Sequence, residues 1–186
     1  MKQPWQELVL PLSAEAIAGL RSGDKLMLSG TIYAARDAAH KRIIEALDRD
    51  ERLPIELSDS LIYYMGPTPT RPGDIIGACG PTTSARMDKY TPRLLSEGLR
   101  LMMGKGNRSL DVVESIKQYG AVYFVTLGGA GALLSSRVKA AETVAYQELG
   151  AEAVVRMEIE RFPVIVAIDS HGNDLFKTGP GKYRKG

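Results

Sequence analysis

The sequence predicts an α/β domain, on three observations. Apolar runs of strand length alternate with stretches of helical periodicity along most of the chain. Gly, Pro, Ser and Thr punctuate the junctions between them. The 186 residues, 44% apolar and 25% charged, suit one soluble domain able to bury its own core. Alternation of this kind suggests, by itself, a doubly wound sheet.

The elements follow in order. KLMLSGTIYAA (25–35) predicts a strand and RDAAHKRIIEALDRD (36–50) a helix. LIYYMG (61–66) predicts a second strand, closed by the turn-rich PTPTRPGD (67–74). A helix is predicted from Ser84 to Ser96, then a short strand in LRLMMGK (99–105). SLDVVESIKQYG (109–120) predicts a helix, with Ser109 as its N-cap and Gly120 as its C-terminal stop. AVYFVTLGG (121–129) predicts a buried strand and AGALLSSRV (130–138) a short helix. A strand at 143–149, a helix or turn through 151–157 and a strand VIVAIDS (164–170) complete the core. Residues 1–176 read as one domain and 177–186 as a mobile, polar and basic tail.

Composition excludes several classes. A net charge of +2, with Lys and Arg scattered, argues against nucleic acid. No apolar run reaches the length of a membrane span, and Glu7 and Pro11 interrupt the first apolar stretch, so a cytoplasmic location is the default. Cys79 is the single cysteine, which rules out an internal disulfide or a cysteine-held cluster within this sequence. His40 and His171 lack ligand-like neighbours at helical spacing.

Three junctions between strand and helix carry a cation: Arg36, Arg86 and Lys105. Ligands in α/β proteins favour the crevice at the carboxyl ends of strands, where helix N-termini add unpaired N–H groups. A cation in a first helical turn opposes the helix dipole, so its presence there invites a functional reason. Two planar arginine forks and a lysine point charge suit a small di-anion. The plainer reading pairs Arg36 and Arg86 with Asp37, Asp88 or another acid. Thr82 and Thr83 follow Gly-Pro, and one of their hydroxyls is expected to cap the helix. GKGNRS lacks the frame of a P-loop, and LGGAGALL misses dinucleotide-binding spacing, so its glycines read as sites of close backbone approach. A nucleotide-binding α/β domain using LGGAG is a weaker alternative.

Six segments together resemble one family: SGTIYAARDAAHKR (29–42), YYMGPTPTRPG (63–73), CGPTTSARMDKYTPRLL (79–95), GKGNRS (104–109), YGAVYFVTLGGAGALL (119–134) and FPVIVAIDSHGND (162–174). The family is the beta subunit, or C-terminal domain, of iron–sulfur class I fumarases and L-tartrate dehydratases. The resemblance runs from about residue 7 to 176. It implies a swivelling β/β/α domain with a central mixed sheet flanked by helices, in place of the doubly wound sheet. It implies a partner alpha subunit that holds a [4Fe–4S] cluster on three cysteines, one iron acting as Lewis acid on the substrate hydroxyl. It also implies an α2β2 hetero-oligomer acting on a small dicarboxylate.

By that resemblance the arginine of TIYAARDAAH is Arg36, the first threonine of GPTT is Thr82, the arginine of the same segment is Arg86 and the lysine of GKGN is Lys105. Thr82 is implied to move the proton at the substrate carbon. Arg36, Arg86 and Lys105 are implied to hold substrate carboxylates. Ala85 departs from a glycine common in fumarases, PTPT (67–70) varies across the family, and Cys79 reads as a small packed thiol. The implied activity is reversible hydration of fumarate to (S)-malate. The alternatives are dehydration of tartrate or of another hydroxy-dicarboxylate and, in a different class, a non-catalytic dicarboxylate-binding module.

Overall fold

The computed structural model describes residues 4–126 and 128–183. Strand β1 (Gln6–Val9) and helix α1 (Ala14–Gly19) precede the long strand β2 (Lys25–Ala34) and helix α2 (Asp37–Asp48). Strand β3 (Leu61–Tyr63), a 3-10 turn (Ser84–Met87), helix α3 (Thr91–Ser96), strand β4 (Leu101–Gly104), helix α4 (Leu110–Tyr119) and strand β5 (Val122–Val125) form the middle of the chain. Helix α5 (Gly131–Ser135), strand β6 (Val138–Ala145), a second 3-10 segment (Gln147–Glu152), strand β7 (Val154–Ile168) and helix α6 (Leu175–Tyr183) complete it.

The strands form one mixed sheet flanked by helices. Its order is β1-β2-β3-β4-β5-β7-β6, with β2 also paired to β7, so β2, β3, β4, β5 and β7 close into a ring. Strands β2 to β5 run parallel, and β7 is antiparallel to both of its ring neighbours. The closed ring replaces the doubly wound sheet that alternation alone suggested. Strand β1 pairs with the first half of β2, leaving Tyr33 and Ala34 to pair with β3.

Both faces of the ring are buried, which explains why LIYYM and LMM read as continuous apolar runs. Tyr63, Met103, Phe124, Leu26, Leu28 and Phe162 fill the interior. Ile62, Tyr64, Met102 and Tyr123, one residue out of phase, face the helices and pack against Ile43 of α2, Leu94 of α3 and Ile116 of α4. Fully burying each such large side chain is worth about 1.5–3 kcal/mol.

Helices α2 and α4 form where periodicity predicts them. Ser109 Oγ accepts the Val112 N–H at 3.4 Å, and Gly120, with φ of 64°, ends α4 as expected. The helix predicted from 84 to 96 is instead a 3-10 turn and a separate α3. Pro92, in the first turn of α3, lacks the N–H a continuous helix would need there.

The largest difference lies at the end of the chain. Residues 154–168 form one strand, where a helix or turn through 151–157 and a strand at 164–170 were expected. Val155, Met157 and Ile159 are buried, while between them Arg156 is exposed and Glu158 half-buried, a strand alternation hidden among good helix formers. The strand bulges between Ile159 and Phe162, where Arg161 takes φ of 50° and donates its N–H to Ser29 Oγ. Strand β6 begins at Val138 rather than 143, and residues 147–149, expected at its end, are instead helical. The polar run expected as a tail enters α6, which continues through Tyr183; residues 184–186 lie outside the described residues.

Candidate active site

The candidate residues meet at the carboxyl ends of β2, β3 and β4, which neighbour one another in parallel. Arg36 follows β2 and is the N-cap of α2, with extended backbone and no capping side-chain bond of its own. The capping acceptor comes from Glu152. Its Oε2 accepts the Ala38 N–H at 2.8 Å, and its Oε1 accepts from Arg36 Nη2 at 2.7 Å. Burial opposes the charge on Glu152, but the Ala38 N–H and the arginine outweigh it and hold the carboxyl below its ordinary range.

Asp37 joins the two arginines. Its Oδ1 accepts from Arg86 Nε at 2.8 Å, and its Oδ2 lies 3.9 Å from Arg36 Nε. That buried oxygen and that buried nitrogen have no hydrogen-bond partner among the described residues. The plainer reading therefore holds for local pairing: Glu152 and Asp37 neutralise Arg36, and Asp37 neutralises Arg86. Asp88 pairs elsewhere, with Arg108. Pairing leaves donors over, since a guanidinium carries five N–H groups and Arg86 remains 53% exposed.

Thr82 hangs from the end of β3, its N–H donating to Tyr64 O at 2.7 Å, while Pro81 bridges to Met65. The expected threonine cap is not formed. Thr83 stands at the N-cap of the 3-10 turn without a side-chain bond, and Thr82 lies one residue before it. The hydroxyl that does structural work is Ser84, which sequence reasoning passed over. Its Oγ accepts the Lys105 N–H at 3.1 Å and the Tyr123 hydroxyl at 2.8 Å, and its N–H donates to Lys105 O. Thr83 pairs alongside Lys105 as an isolated bridge. Lys105 is exposed and makes no ion pair among the described residues.

Two glycines make this convergence possible. A Cβ on Gly104 would stand 2.1 Å from Ser84 Oγ, so only glycine lets residues 83–84 lie against the end of β4. A Cβ on Gly66 would stand 2.6 Å from Ala151 O and 2.9 Å from Arg36 Nη1. Gly66 thus seats Arg36 and the segment carrying Glu152 together. Of the LGGAG glycines, Gly131 acts in the same way, its O accepting the Cys79 N–H and its Cα packing beside Gly80, whereas Gly128 and Gly129 face open space.

A buried polar layer supports the site from below. The Arg108 side chain is fully buried, donating to Asp88 Oδ1 and Thr91 Oγ1 at 2.7 Å each, with its guanidinium between the rings of Tyr64 and Tyr123. Asp88 Oδ2 accepts the Ser109 N–H and so anchors the start of α4. His40 is buried, its Nδ1 donating to Arg36 O at 2.9 Å because a carbonyl can only accept. Burial pushes the His40 pKa down to about 4, so it stays neutral and suits packing against Tyr64 rather than proton transfer at neutral pH. Burial also pushes the Cys79 thiol up to about 11; its Sγ donates to Gly77 O, as a packed thiol should.

Arg108 and Glu152 were not singled out in the sequence. Arg108 had a signal, an arginine in an otherwise turn-like GKGNRS; Glu152 had none, because its role depends on a contact 114 residues away. Among the described residues no group of three or more His, Cys, Asp or Glu could hold a metal ion, and no helix is long and apolar enough to cross a membrane.

The fold and this rim define a class: an α/β domain with a ring-closed mixed sheet and its charged junctions gathered at parallel strand ends. Residues 6–179 match the family described as Fumarase C-terminus. The chain is 40% identical over 179 residues to a protein of Salmonella typhimurium named "Fumarate hydratase class I, aerobic", covering 95% of this chain and 30% of that protein. The protein of the same name from Escherichia coli K12 is 38% identical, with 95% and 32% covered. A Methanocaldococcus jannaschii protein named "Putative L(+)-tartrate dehydratase subunit beta" is 39% identical over 172 residues, 89% of this chain and 88% of that subunit. The chain thus spans about 30% of the length of the fumarate hydratases it matches, and nearly all of the tartrate dehydratase subunit. It belongs to the fumarase C-terminal family.

Proposed function

We propose that this chain is the beta subunit of a hydro-lyase of the cytoplasm that reversibly hydrates fumarate to (S)-malate. Arg36, Arg86 and Lys105 bind the substrate carboxylates, and Thr82 moves the proton at the substrate carbon. The observation that carries this reading is the Asp37 bridge, which sets Arg36 and Arg86 side by side on the rim that also holds Thr82 and Lys105.

The chemistry needs this arrangement. In the dehydration direction a carbon beside a carboxylate loses its proton, negative charge builds on that carboxylate, and the hydroxyl leaves the neighbouring carbon. Fixed cations stabilise the developing charge without reorganising. A threonine hydroxyl is a weak base at its ordinary pKa, and surrounding cations favour its deprotonated form.

The residues of this chain do not fit a [4Fe–4S] cluster, since the one cysteine is buried, protonated and packed on its own loop. We assign the cluster to a partner alpha subunit, in an α2β2 complex. When bound there, it supplies Lewis-acid activation of the leaving hydroxyl.

A second reading, L-tartrate dehydratase, is favoured by one observation: a putative tartrate dehydratase subunit is a relative of which this chain covers 88%. The test is reconstitution with the cluster-bearing alpha subunit and assay of fumarate, malate and tartrate. Turnover is expected only from the complex. Turnover by this chain alone contradicts a shared site, and a complex that binds dicarboxylates without turnover favours a binding module.

A further inference from the structure

Among the described residues, Glu152 is the one acid that touches both the backbone and the side-chain cation of the candidate site. It sits at the end of the 3-10 segment Gln147–Glu152, just before β7, and reaches the start of α2. One carboxylate oxygen takes the Ala38 N–H, and the other takes Arg36 Nη2. The contact is built from three sides. Gly66 lies under both partners, close to Arg36 Nη1 and to the carbonyl of Ala151, the residue before Glu152. Asp37 Oδ2 lies 3.9 Å from Arg36 Nε, beside the same guanidinium. Arg36 is three-quarters buried, and its long side chain would otherwise sample many rotamers.

We infer that Glu152 is a positioning residue for Arg36, fixing one edge of the guanidinium so that its remaining donors are presented to a substrate carboxylate. The inference rests on the reading of Arg36 as a carboxylate-binding residue. It goes beyond that reading by assigning a role to an acid beside a site for an anionic substrate. On charge alone such an acid weakens anion binding, because like charges repel. It is tolerated where the ordering it imposes outweighs that repulsion, since a pre-set cation loses less freedom when the ligand arrives.

The two effects have opposite signs, which makes the role testable. Glu152→Gln removes the charge but keeps an oxygen for the Ala38 N–H, so α2 keeps its first turn. If Glu152 acted only as a nearby charge, this variant would bind dicarboxylate more tightly. A positioning role predicts the reverse: in the complex with the cluster-bearing subunit, KM for fumarate rises roughly ten-fold, with kcat changed less. The thermal unfolding midpoint of the chain stays within a few degrees of the original. A separate measurement reads Arg36 directly. The Arg36 Nε–H signal, followed by 15N relaxation on the chain without its partner, should be ordered in the original and mobile in Glu152→Gln.

An unchanged or lowered KM overturns the inference, as does an Arg36 signal that stays ordered in the variant. If the unaltered complex turns over no dicarboxylate, the hydro-lyase reading falls, and the Arg36 relaxation result alone decides whether Glu152 holds the arginine.

Discussion

Asp37 Oδ1 lies 2.8 Å from Arg86 Nε, joining the first residue of α2 to a 3-10 turn 49 residues later in the chain. Asp37 also faces Arg36, so a single carboxylate spaces the two arginines on which the proposed site depends.

That bridge predicts coupled kinetics. Asp37→Asn and Arg86→Ala should each lower kcat/KM for fumarate, and the double variant should lose less than the sum of the two. Residues in one ion-pair network show interaction energies of about 0.5–3 kcal/mol in such cycles. A cycle of steady-state assays on the complex checks this; strict additivity would show that Asp37 does not act through Arg86.

Arg108 carries the buried layer under the site. Its side chain is fully buried against Asp88 and between two tyrosine rings. Arg108→Met leaves Asp88 without its ion-pair partner, and breaking a buried pair costs about 3–5 kcal/mol. Urea unfolding should show the midpoint falling with little change in slope.

Gly104 permits the contact between the Ser84 turn and the end of β4. Gly104→Ala places a methyl 2.1 Å from Ser84 Oγ, against a residue held by Lys105 and Tyr123. Overpacking of this kind costs about 1–3 kcal/mol. The turn carrying Arg86 should shift away from Lys105, lowering activity in the complex as well as the unfolding temperature.

His40 sets a pH dependence on stability. Its pKa falls from 6.5 to about 4 in the folded state, because burial disfavours the charged ring. Between those values the unfolded chain binds more protons than the folded one, so stability rises with pH. The contribution is complete above the unfolded pKa of about 6.5 and is lost progressively as pH falls toward 4. The span corresponds to roughly 3 kcal/mol. Unfolding series from pH 7 to 4 should show this slope, and His40→Gln should flatten it.

Much of this was legible along the chain, and most of what was not depends on contacts between distant elements. Ser109 and Gly120 announced α4 because caps act within one turn of the residues they serve. Arg36, Thr82, Arg86 and Lys105 stood out because each lies where the chain changes direction. The ring closure of β2 on β7 could not be read, since it depends on pairing between residues more than a hundred positions apart. Residues 154–157 read as helix or turn because Met and Arg favour helices locally, and tertiary pairing into β7 overrides that preference. The stretch 84–96 splits into a 3-10 turn and α3 because Pro92, in the first turn of α3, has no N–H to continue a helix. Glu152 and Ser84 escaped notice for the same reason as the ring: their partners come from other elements.

The most direct measurement compares kcat and KM for fumarate in the complex carrying Thr82→Ala with those of the original and of Thr83→Ala. Thr82 is partly buried and tied to the end of β3, whereas Thr83 is exposed and its hydroxyl makes no capping bond. A residue that moves the proton in the transition state should cost about 100-fold or more in kcat with KM little changed, and its neighbour should cost almost nothing. Equal kinetics for the Thr82→Ala complex and the original would contradict the proposed site.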